Sequence, residues 1–592
     1  MCGISAIFSF TSITNSDKRK LTLMNQEMHY RGPDESDVWA DEVCGLAHTR
    51  LSIIGLDNGH QPLFNEDKSL VLICNGEIYN YVELREELKE AGHQFTTDSD
   101  CEVILHLYED LGVECLLKLR GMFAFCLWNI RTRQLFVARD RVGEKTLYYA
   151  QIQTGFVFST ELKAIHKHFL GKSQLNIKSL AQCIRYNYPI DLKNTHIEQI
   201  KRIQAGEYAL VDVNGMELHH YWKRDMTPRF TGTREEAKAE ILRLMRESVR
   251  LCLRSDVPVA ILLSGGIDSS AVAAFAKETG REVHVITAGY KGEHVSDERS
   301  IARQFAVEKG LIWHEVELDA ADFKDVFYEY TQFIDEPISD IASIAQWALY
   351  KKAKELGFTV LLGGLGGDEL FYGYPSWNQV AESLKISRKH KSLFPWKGKK
   401  LDFIVFILKN WKYVLYAGYP NKIDEQTIVP WTYEDYCRFV ENAYLCYNHQ
   451  IYLLNDVDVS ARFDTTKPEI EAVYQHNFEN FMGGMCLYLA DRLGMGNAIE
   501  IRSPLIDYKL IEFVSSLSIE MKYDSKMAKS LLKETLEGII PSNILYGKKQ
   551  GFTPPISYIN EIVAKSSYKY ITSDFKFFNS ILTDRVICNI YR

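Results

Sequence analysis

Residues 257–276 constrain this chain more than any other stretch. An apolar run, Val257, Val259, Ala260, Ile261, Leu262 and Leu263, breaks into Ser264-Gly265-Gly266 and passes through Ile267-Asp268-Ser269-Ser270. A helix-prone Ala271-Val272-Ala273-Ala274-Phe275-Ala276 follows. Strand, glycine turn and helix N-terminus in that order place backbone N–H groups and a helix dipole where an anion can sit. Gly265 and Gly266 allow close approach of the backbone, and Ser264, Ser269 and Ser270 add hydroxyl donors. The Gly-Lys-Ser/Thr ending of a Walker loop is missing, which excludes that phosphate site. Asp268 would repel a phosphate unless a cation such as Mg2+ lies between them. A serine-rich turn capped by Asp268 is the plainer alternative.

A second glycine-rich stretch, Gly363-Gly364-Leu365-Gly366-Gly367-Asp368-Glu369, follows another apolar run, Thr359–Leu362. Between the two loops strand-like and helix-like segments alternate: Val283–Ala288, a helix from Ser300 to Lys309, Ile312–Val316, then a further helical stretch. That alternation predicts an α/β domain with a parallel sheet wrapped by helices, its ligands beyond the strand C-terminal ends. Asp268 and Asp368 then reach the same sheet edge. Two carboxylates alone would repel; with a triphosphate they make a sensible Mg2+ cage. A purely structural glycine loop is the alternative.

A chain of 592 residues exceeds what one core serves, so at least two domains are expected. The boundary falls near residue 221, giving domains 1–220 and 221–592. Before it, Leu210–Leu218 reads as a hairpin turning at Asn214-Gly215. After it, Arg234–Leu253 places Ala237, Ile241, Leu244, Met245, Val249 and Leu253 on one helical face. The net charge of −9 argues against nucleic acid as a partner. Twelve cysteines without CxxC pairs indicate neither a zinc ribbon nor a disulfide framework. No signal peptide or membrane-spanning run is read; the strongest apolar run, Phe403–Leu408, closes at Lys409. A cytoplasmic location follows as the expectation.

Cys2 is the first chemistry in the chain. Loss of Met1 would put a thiol and a free α-amine on one residue, and such an amine titrates near neutrality and can serve as the thiol's base. The alternative is that Cys2 only opens an apolar strand, Ile4–Phe10. Further on, His48–Ile53 alternates like a strand and carries Arg50, an arginine suited to a carboxylate. Val71–Cys74 runs into Asn75-Gly76-Glu77, a strand ending at a glycine, where a side-chain amide and a backbone N–H can converge as an oxyanion hole. The acidic Thr97–Glu102 loop could grip an amino group or cap the helix after it.

In this order Cys2-Gly3-Ile4, Arg31-Gly32-Pro33-Asp34, Arg50-Leu51-Ser52-Ile53, Asn75-Gly76-Glu77-Ile78-Tyr79-Asn80 and Ser99-Asp100-Cys101-Glu102 resemble the glutaminase domain of the N-terminal-nucleophile amidotransferases. Gly121–Phe125 and Ala138–Gly143 continue the likeness. It implies an α+β domain of two stacked antiparallel sheets between helices. It also implies Cys2 as nucleophile and Asn75 with Gly76 as oxyanion hole. Glutamine would be held by Arg50 at its α-carboxylate, by Glu77 and Asp100 at its α-amino end, and by Leu51 and Ile53. Tyr30 stands where that family usually has histidine, and Glu144 and Thr146 stand where Ile and Pro are usual.

The pair Ser264–Ser270 and Gly366-Gly367-Asp368-Glu369 resembles the pyrophosphate-releasing ATP-dependent synthetases. Joined to the glutaminase motifs, the chain is similar to the glutamine-hydrolysing asparagine synthetases from residue 2 to about residue 555. The likeness includes Asp335-Glu336-Pro337, Asp491-Arg492, Glu500–Asp507 and Lys548-Lys549-Gln550-Gly551-Phe552. It implies ATP and Mg2+ as cofactors, with Leu263, Ser264, Gly265, Gly266, Asp268, Ser269, Ala288, Gly363 and Gly364 around the nucleotide and Asp268 and Asp368 on the metal. Lys529 would neutralise charge on the transferring phosphoryl group. Glutamine and a carboxylate acceptor, first of all aspartate, are the implied partners, and a homodimer is compatible. Leu365 replaces an acid that asparagine synthetases carry, with Glu336 and Glu369 as candidates to fill its role. Three readings therefore stand beside asparagine synthesis: amidation of another carboxylate such as a sugar uronate or a β-amino acid, a bare glutaminase, and a silent nucleotide-responsive scaffold. Residues 375–480 read as helix-rich with a basic Lys385–Lys400 segment, and residues 556–592 fit no motif.

Overall fold

The computed structural model describes residues 2–292, 297–338, 340–375, 377–378, 381, 444–447, 450–453, 467–547, 554–555 and 557–558. Met1, Lys385–Lys400, Phe403–Leu408, Lys548–Phe552 and residues 559–592 lie outside them.

The N-terminal half holds two antiparallel sheets. The first contains β1 (Gly3–Ser9), β2 (Glu35–Ala40), β3 (Cys44–Arg50), β8 (Tyr148–Ile152), β9 (Gly155–Ser159) and β10 (Ile200–Arg202), in the spatial order 10-8-9-1-3-2. The second orders β4 (Leu63–Phe64), β5 (Leu70–Ile78), β6 (Gly121–Asn129), β7 (Gln134–Arg139), β11 (Glu207–Asp212) and β12 (Gly215–His220) as 12-11-7-6-5-4. Their inner faces share one core. Ile4, Ala6 and Phe8 of β1 meet Val71 and Ile73 of β5 and Ala124, Cys126 and Trp128 of β6. Strands buried on both faces read as largely apolar runs, as β6 does and as β1 does apart from Ser5 and Ser9. Helices Tyr81–Ala91 and Val103–Leu111 cover the outer face of the second sheet through Leu84, Leu88, Val103, Ile104 and Leu107. The α+β layering expected for this half is observed.

β5 is longer than its apolar run predicts. Asn75, Gly76 and Glu77 stay inside the strand, paired with Ala124, Phe123 and Met122 of β6. Gly76 does not end it, because the missing Cβ lets the strand press against the Met122 carbonyl and Phe123. β3, in turn, stops at Arg50, so Leu51–Ile53 is not strand.

The second half is built on a parallel sheet of β13 (Val259–Leu262), β14 (His284–Tyr290), β15 (Ile312–Leu318), β16 (Val360–Leu362) and β19 (Glu500–Arg502), in the order 15-14-13-16-19. The helix Arg234–Cys252 buries Ala237, Ile241, Leu244, Met245 and Val249, as their spacing predicts. Thr233 and Glu236 form its capping box. Within the stretch read as helix-rich, Tyr444–Tyr447 and Gln450–Leu453 form an antiparallel hairpin, β17 and β18, where Tyr and Ile favour strand. β13 and β16 are neighbours, so the loops that leave their C-terminal ends face each other. No helix among the described residues is long and apolar enough to cross a membrane.

Candidate functional sites

Cys2 lies just before β1 and is buried. Its N–H donates to Asn75 Oδ1 (3.1 Å), and its carbonyl accepts from Arg31 Nε (3.0 Å). With its oxygen so engaged, the buried Asn75 amide keeps Nδ2 without a hydrogen-bond partner among the described residues. A buried, unspent donor beside a thiol is what an oxyanion requires. Burial pushes the Cys2 thiol up to about 11, against the lowering by the amino-terminal charge, the Leu51 backbone and Arg50. Deprotonation at neutral pH therefore needs a base.

Arg50 Nη1 donates to Glu35 Oε2 (3.0 Å), and Nη2 donates to the carbonyls of Ile54 (3.1 Å) and Gly55 (2.7 Å). Buried Leu51 and Ile53 follow it, and the Ile53 carbonyl accepts from Asp256 N–H of the second half (3.0 Å). Asp100 accepts from Ile78 N–H (2.6 Å); burial, aided by the nearby Glu500 charge, pushes its carboxyl up to about 6. Burial and then Asp100 raise the Glu77 carboxyl well above the usual range. The partner of Glu77 comes from the other half: Arg502 Nη2 lies 3.3 Å from Glu77 Oε2.

At the second centre Leu263 N–H still pairs with the Ile286 carbonyl (2.9 Å), after which the chain leaves the sheet. Gly265 adopts φ +78°, which turns the loop into its helix. Ser264 N–H donates to Ser269 Oγ (3.2 Å), and the two hydroxyls lie 3.0 Å apart, so the serines brace the loop across its own mouth. Ala288 is on neighbouring β14.

The second loop packs on the first with no room for side chains. A Cβ on Gly364 would stand 2.8 Å from both Asp268 Cβ and Ser269 N, and one on Gly367 would fall inside the Asp268 carboxylate. A Cβ on Gly373 would strike Asp368 and the Lys529 stem. Gly363 differs: it is buried, yet an added Cβ would meet nothing within 4 Å. Open space among the described residues therefore lies in front of Gly363, at the sheet edge.

Lys529 holds the acids together. Its ammonium contacts Asp268 Oδ2 and lies 2.9 Å from Asp368 Oδ1. Burial alone would lower its pKa, but the two carboxylates outweigh burial and hold it above the ordinary lysine range. Lys529 occupies the left-handed region (φ +56°) as N-cap of the helix Ser530–Thr535, a conformation that costs a non-glycine residue of order 1 kcal/mol and persists only where tertiary contacts impose it. Leu365 is half-buried against apolar core. Glu369 accepts from Gly366 N–H (3.1 Å) and from the Tyr374 hydroxyl (2.7 Å). Glu336 is paired across the domains with Arg202 and accepts from the Tyr148 hydroxyl (3.4 Å).

A buried ion cluster lies between the centres. Arg31 Nη2 donates to both Asp491 oxygens (3.1 and 2.8 Å) and Nη1 donates to Glu161 (3.2 Å). Arg492 contacts Glu161 and donates to Asp335 (2.5 Å). Tyr30, standing where that family usually has histidine, donates its hydroxyl to Glu161. Thr146 donates to the Thr160 carbonyl (2.9 Å), and Glu144 lines a small interdomain cavity with Tyr79, Ser248, Cys252 and Asp507. The roles of Arg31, Glu161 and Arg502 in joining the halves were not legible in the sequence, because their partners lie hundreds of residues away.

Residues 1–222 match the family model described as a glutamine amidotransferase domain, and residues 240–573 match the one described as asparagine synthase. Asparagine synthetase [glutamine-hydrolyzing] 1 of Bacillus subtilis is 32% identical over 94% of this chain and 88% of its own length. A putative asparagine synthetase of Mycobacterium tuberculosis is 31% identical over 90% of this chain and 83% of its own. Amidase chry2 of Gibberella zeae is 27% identical over 96% and 92%. These matches cover both centres and the cluster between them, and the chain belongs to the glutamine-hydrolysing asparagine synthetase family.

Proposed function

We propose that this ATP-dependent, glutamine-hydrolysing ligase makes asparagine. The observation that carries the reading is the Lys529 ammonium between Asp268 and Asp368, beside the free volume at Gly363, in a chain that also pairs Cys2 with Asn75.

With Met1 removed, the Cys2 amine takes the thiol proton and the thiolate attacks the glutamine side-chain amide. Asn75 Nδ2 and the Gly76 N–H receive the oxyanion, ammonia leaves, and water hydrolyses the thioester. Arg50, with Leu51 and Ile53, binds the glutamine α-carboxylate end, where Glu35 would have to yield it a guanidinium edge. Glu77 and Asp100 bind the ammonium end. At the second centre the loop Leu263–Ser269, Ala288, Gly363 and Gly364 cradle ATP. The hard oxygen donors Asp268 and Asp368 suit Mg2+, which when bound neutralises charge on the phosphates. The aspartate carboxylate attacks the α-phosphorus, pyrophosphate departs with Lys529 stabilising its developing charge, and ammonia displaces AMP.

One observation favours a second reading. Leu365 is packed in apolar surroundings, and both acids that could replace its missing carboxylate are committed: Glu369 to Gly366 and Tyr374, Glu336 to Arg202 and Tyr148. The same chemistry on another carboxylate, such as a sugar uronate, answers to that. Pyrophosphate release is to be measured with aspartate and with a panel of uronates and β-amino acids. Asparagine formed in step with pyrophosphate supports the first reading; release with a uronate alone replaces it by the second.

A further inference from the structure

Away from both centres, on the outer side of the glutaminase domain, three segments bring two histidines and two glutamates to one point. Glu66 comes from the turn after β4, and His93 follows the helix Tyr81–Ala91. His106 and Glu109 lie one turn apart on the helix Val103–Leu111. Their ligand atoms all lie within 4.8 Å of one another. His93 Nδ1 is 3.8 Å from Glu66 Oε1 and 3.6 Å from Glu109 Oε2; His106 Nδ1 is 3.6 Å and 3.3 Å from the same oxygens. With metal–ligand bonds of about 2.0–2.1 Å, the edge of a tetrahedral zinc site is about 3.3–3.4 Å. The four measured edges stand at that length or slightly above it.

The surroundings are those of a metal site. Each imidazole turns Nδ1 inward; His93 Nε2 is hydrogen-bonded to Asp110 Oδ2 (3.1 Å), while His106 Nε2 lies 3.7 Å from Glu102 Oε1, an ion-pair distance. Metal-bound histidines are oriented by such outer carboxylates, which also fix the tautomer. The two inner carboxylates are themselves held, Glu109 Oε1 by Asn65 Nδ2 (2.8 Å) and Glu66 Oε1 by Gln94 N–H (2.9 Å). The rings of His93 and His106 lie 4.9 Å apart, and Phe95 packs on His106 at 4.5 Å, so the site has an apolar floor. The His106 side chain is fully buried, whereas the glutamates are partly exposed and leave the mouth open to a solvent ion.

We propose that Glu66, His93, His106 and Glu109 form a structural site for a divalent transition ion, Zn2+ in the first place. Two imidazole nitrogens exclude a preference for Mg2+ or Ca2+, and two carboxylates with no thiolate leave the site outside any cysteine pattern. The ion ties together the ends of the segment that carries Asp100. Glu102, beside His106 Nε2, accepts from Thr96 N–H (2.7 Å) and Thr97 N–H (2.8 Å) at the start of the Asp100 loop. Metal binding here steadies the glutaminase pocket without touching its nucleophile.

The test is a zinc titration of the chelator-treated full chain, with excess Mg2+ present, followed by calorimetry and thermal melting. One equivalent of Zn2+ is expected, retained in the Cys2→Ala chain and accompanied by a rise in melting temperature. Glu66→Gln with Glu109→Gln, both at the open mouth, should weaken binding at least about tenfold and remove the thermal rise, with folding checked by ammonia-dependent pyrophosphate release. Co2+ in place of zinc should give tetrahedral absorption without a thiolate charge-transfer band. Absence of stoichiometric binding, unchanged affinity in the double variant, or a thiolate band would each overturn the assignment.

Discussion

Gly363 and Gly364 are adjacent, yet a methyl group on each should act in opposite directions. Neither requires a positive φ, so alanine is allowed by the backbone at both. At Gly363 the added Cβ meets no atom of the described residues within 4 Å. The loss of chain freedom in the unfolded state should then stabilise Gly363→Ala by about 0.4–1 kcal/mol. If the nucleotide fills that volume, the same methyl overpacks the complex, at about 1–3 kcal/mol, or about 5- to 150-fold in the KM for ATP. At Gly364 the Cβ would stand 2.8 Å from Asp268 Cβ and Ser269 N, about 0.6 Å inside ordinary contact with atoms that include backbone. Gly364→Ala should therefore lose about 1–3 kcal/mol of stability and part the two aspartates. Pyrophosphate release with ammonia as donor isolates this centre from the glutaminase, and denaturant melts give the stabilities. An unchanged KM for ATP in Gly363→Ala would refute the placement of the nucleotide against Gly363, and an undiminished stability in Gly364→Ala would refute the tight packing of the loops.

Cys2→Ala should abolish glutamine-dependent synthesis and leave ammonia-dependent synthesis intact; loss of both in a folded chain would contradict the division of labour. Lys529→Met leaves Asp268 and Asp368 facing each other without their cation, and breaking such a buried pair costs about 3–5 kcal/mol. A lowered melting temperature that added Mg2+ restores, with pyrophosphate release still lost, is the expected result. If Asp100 grips the glutamine ammonium it does so only when ionised, and its carboxyl ionises as pH rises past about 6. The KM for glutamine should thus climb as pH falls through that value, approaching tenfold per unit, while the KM for ATP under ammonia-dependent conditions does not follow.

The loop Ser264–Ser270 was legible because strand, glycine turn and helix start are spelled by local residue choice, and the parallel sheet followed from the alternation around it. Cys2, Asn75 and Gly76 were equally open to reading. Local pattern could not reveal the strand Glu500–Arg502, three residues long and recognised by pairing with Val360–Leu362. Lys529 carries no local signal either, since a lysine before a short helix is ordinary until tertiary contact sets it in the left-handed region beside two acids. His93, His106, Glu66 and Glu109 come from three segments with no ligand spacing, so only folding brings them together.

The way the halves meet explains why so much charge is buried between them. Leu51, Ile53, Ile54, Tyr79 and Met122 of the glutaminase pack into the same core as Val249, Ile261 and Leu505 of the synthetase. At about 1.5–3 kcal/mol per buried apolar side chain, that seam suffices for adhesion. The ion cluster adds little net energy, because desolvation offsets its attraction, but it tolerates few arrangements. Two buried arginines tie the halves to each other. Arg31 holds the Cys2 carbonyl and Asp491, while Arg502 faces Glu77 and, through its own carbonyl, accepts from Gly363 N–H (2.9 Å). Both side chains are fully buried, so no solvent can take up the slack if either centre shifts. Apolar contact keeps the domains together; the buried arginines set the register between Cys2 and Asp491 and between Glu77 and the Gly363 strand end.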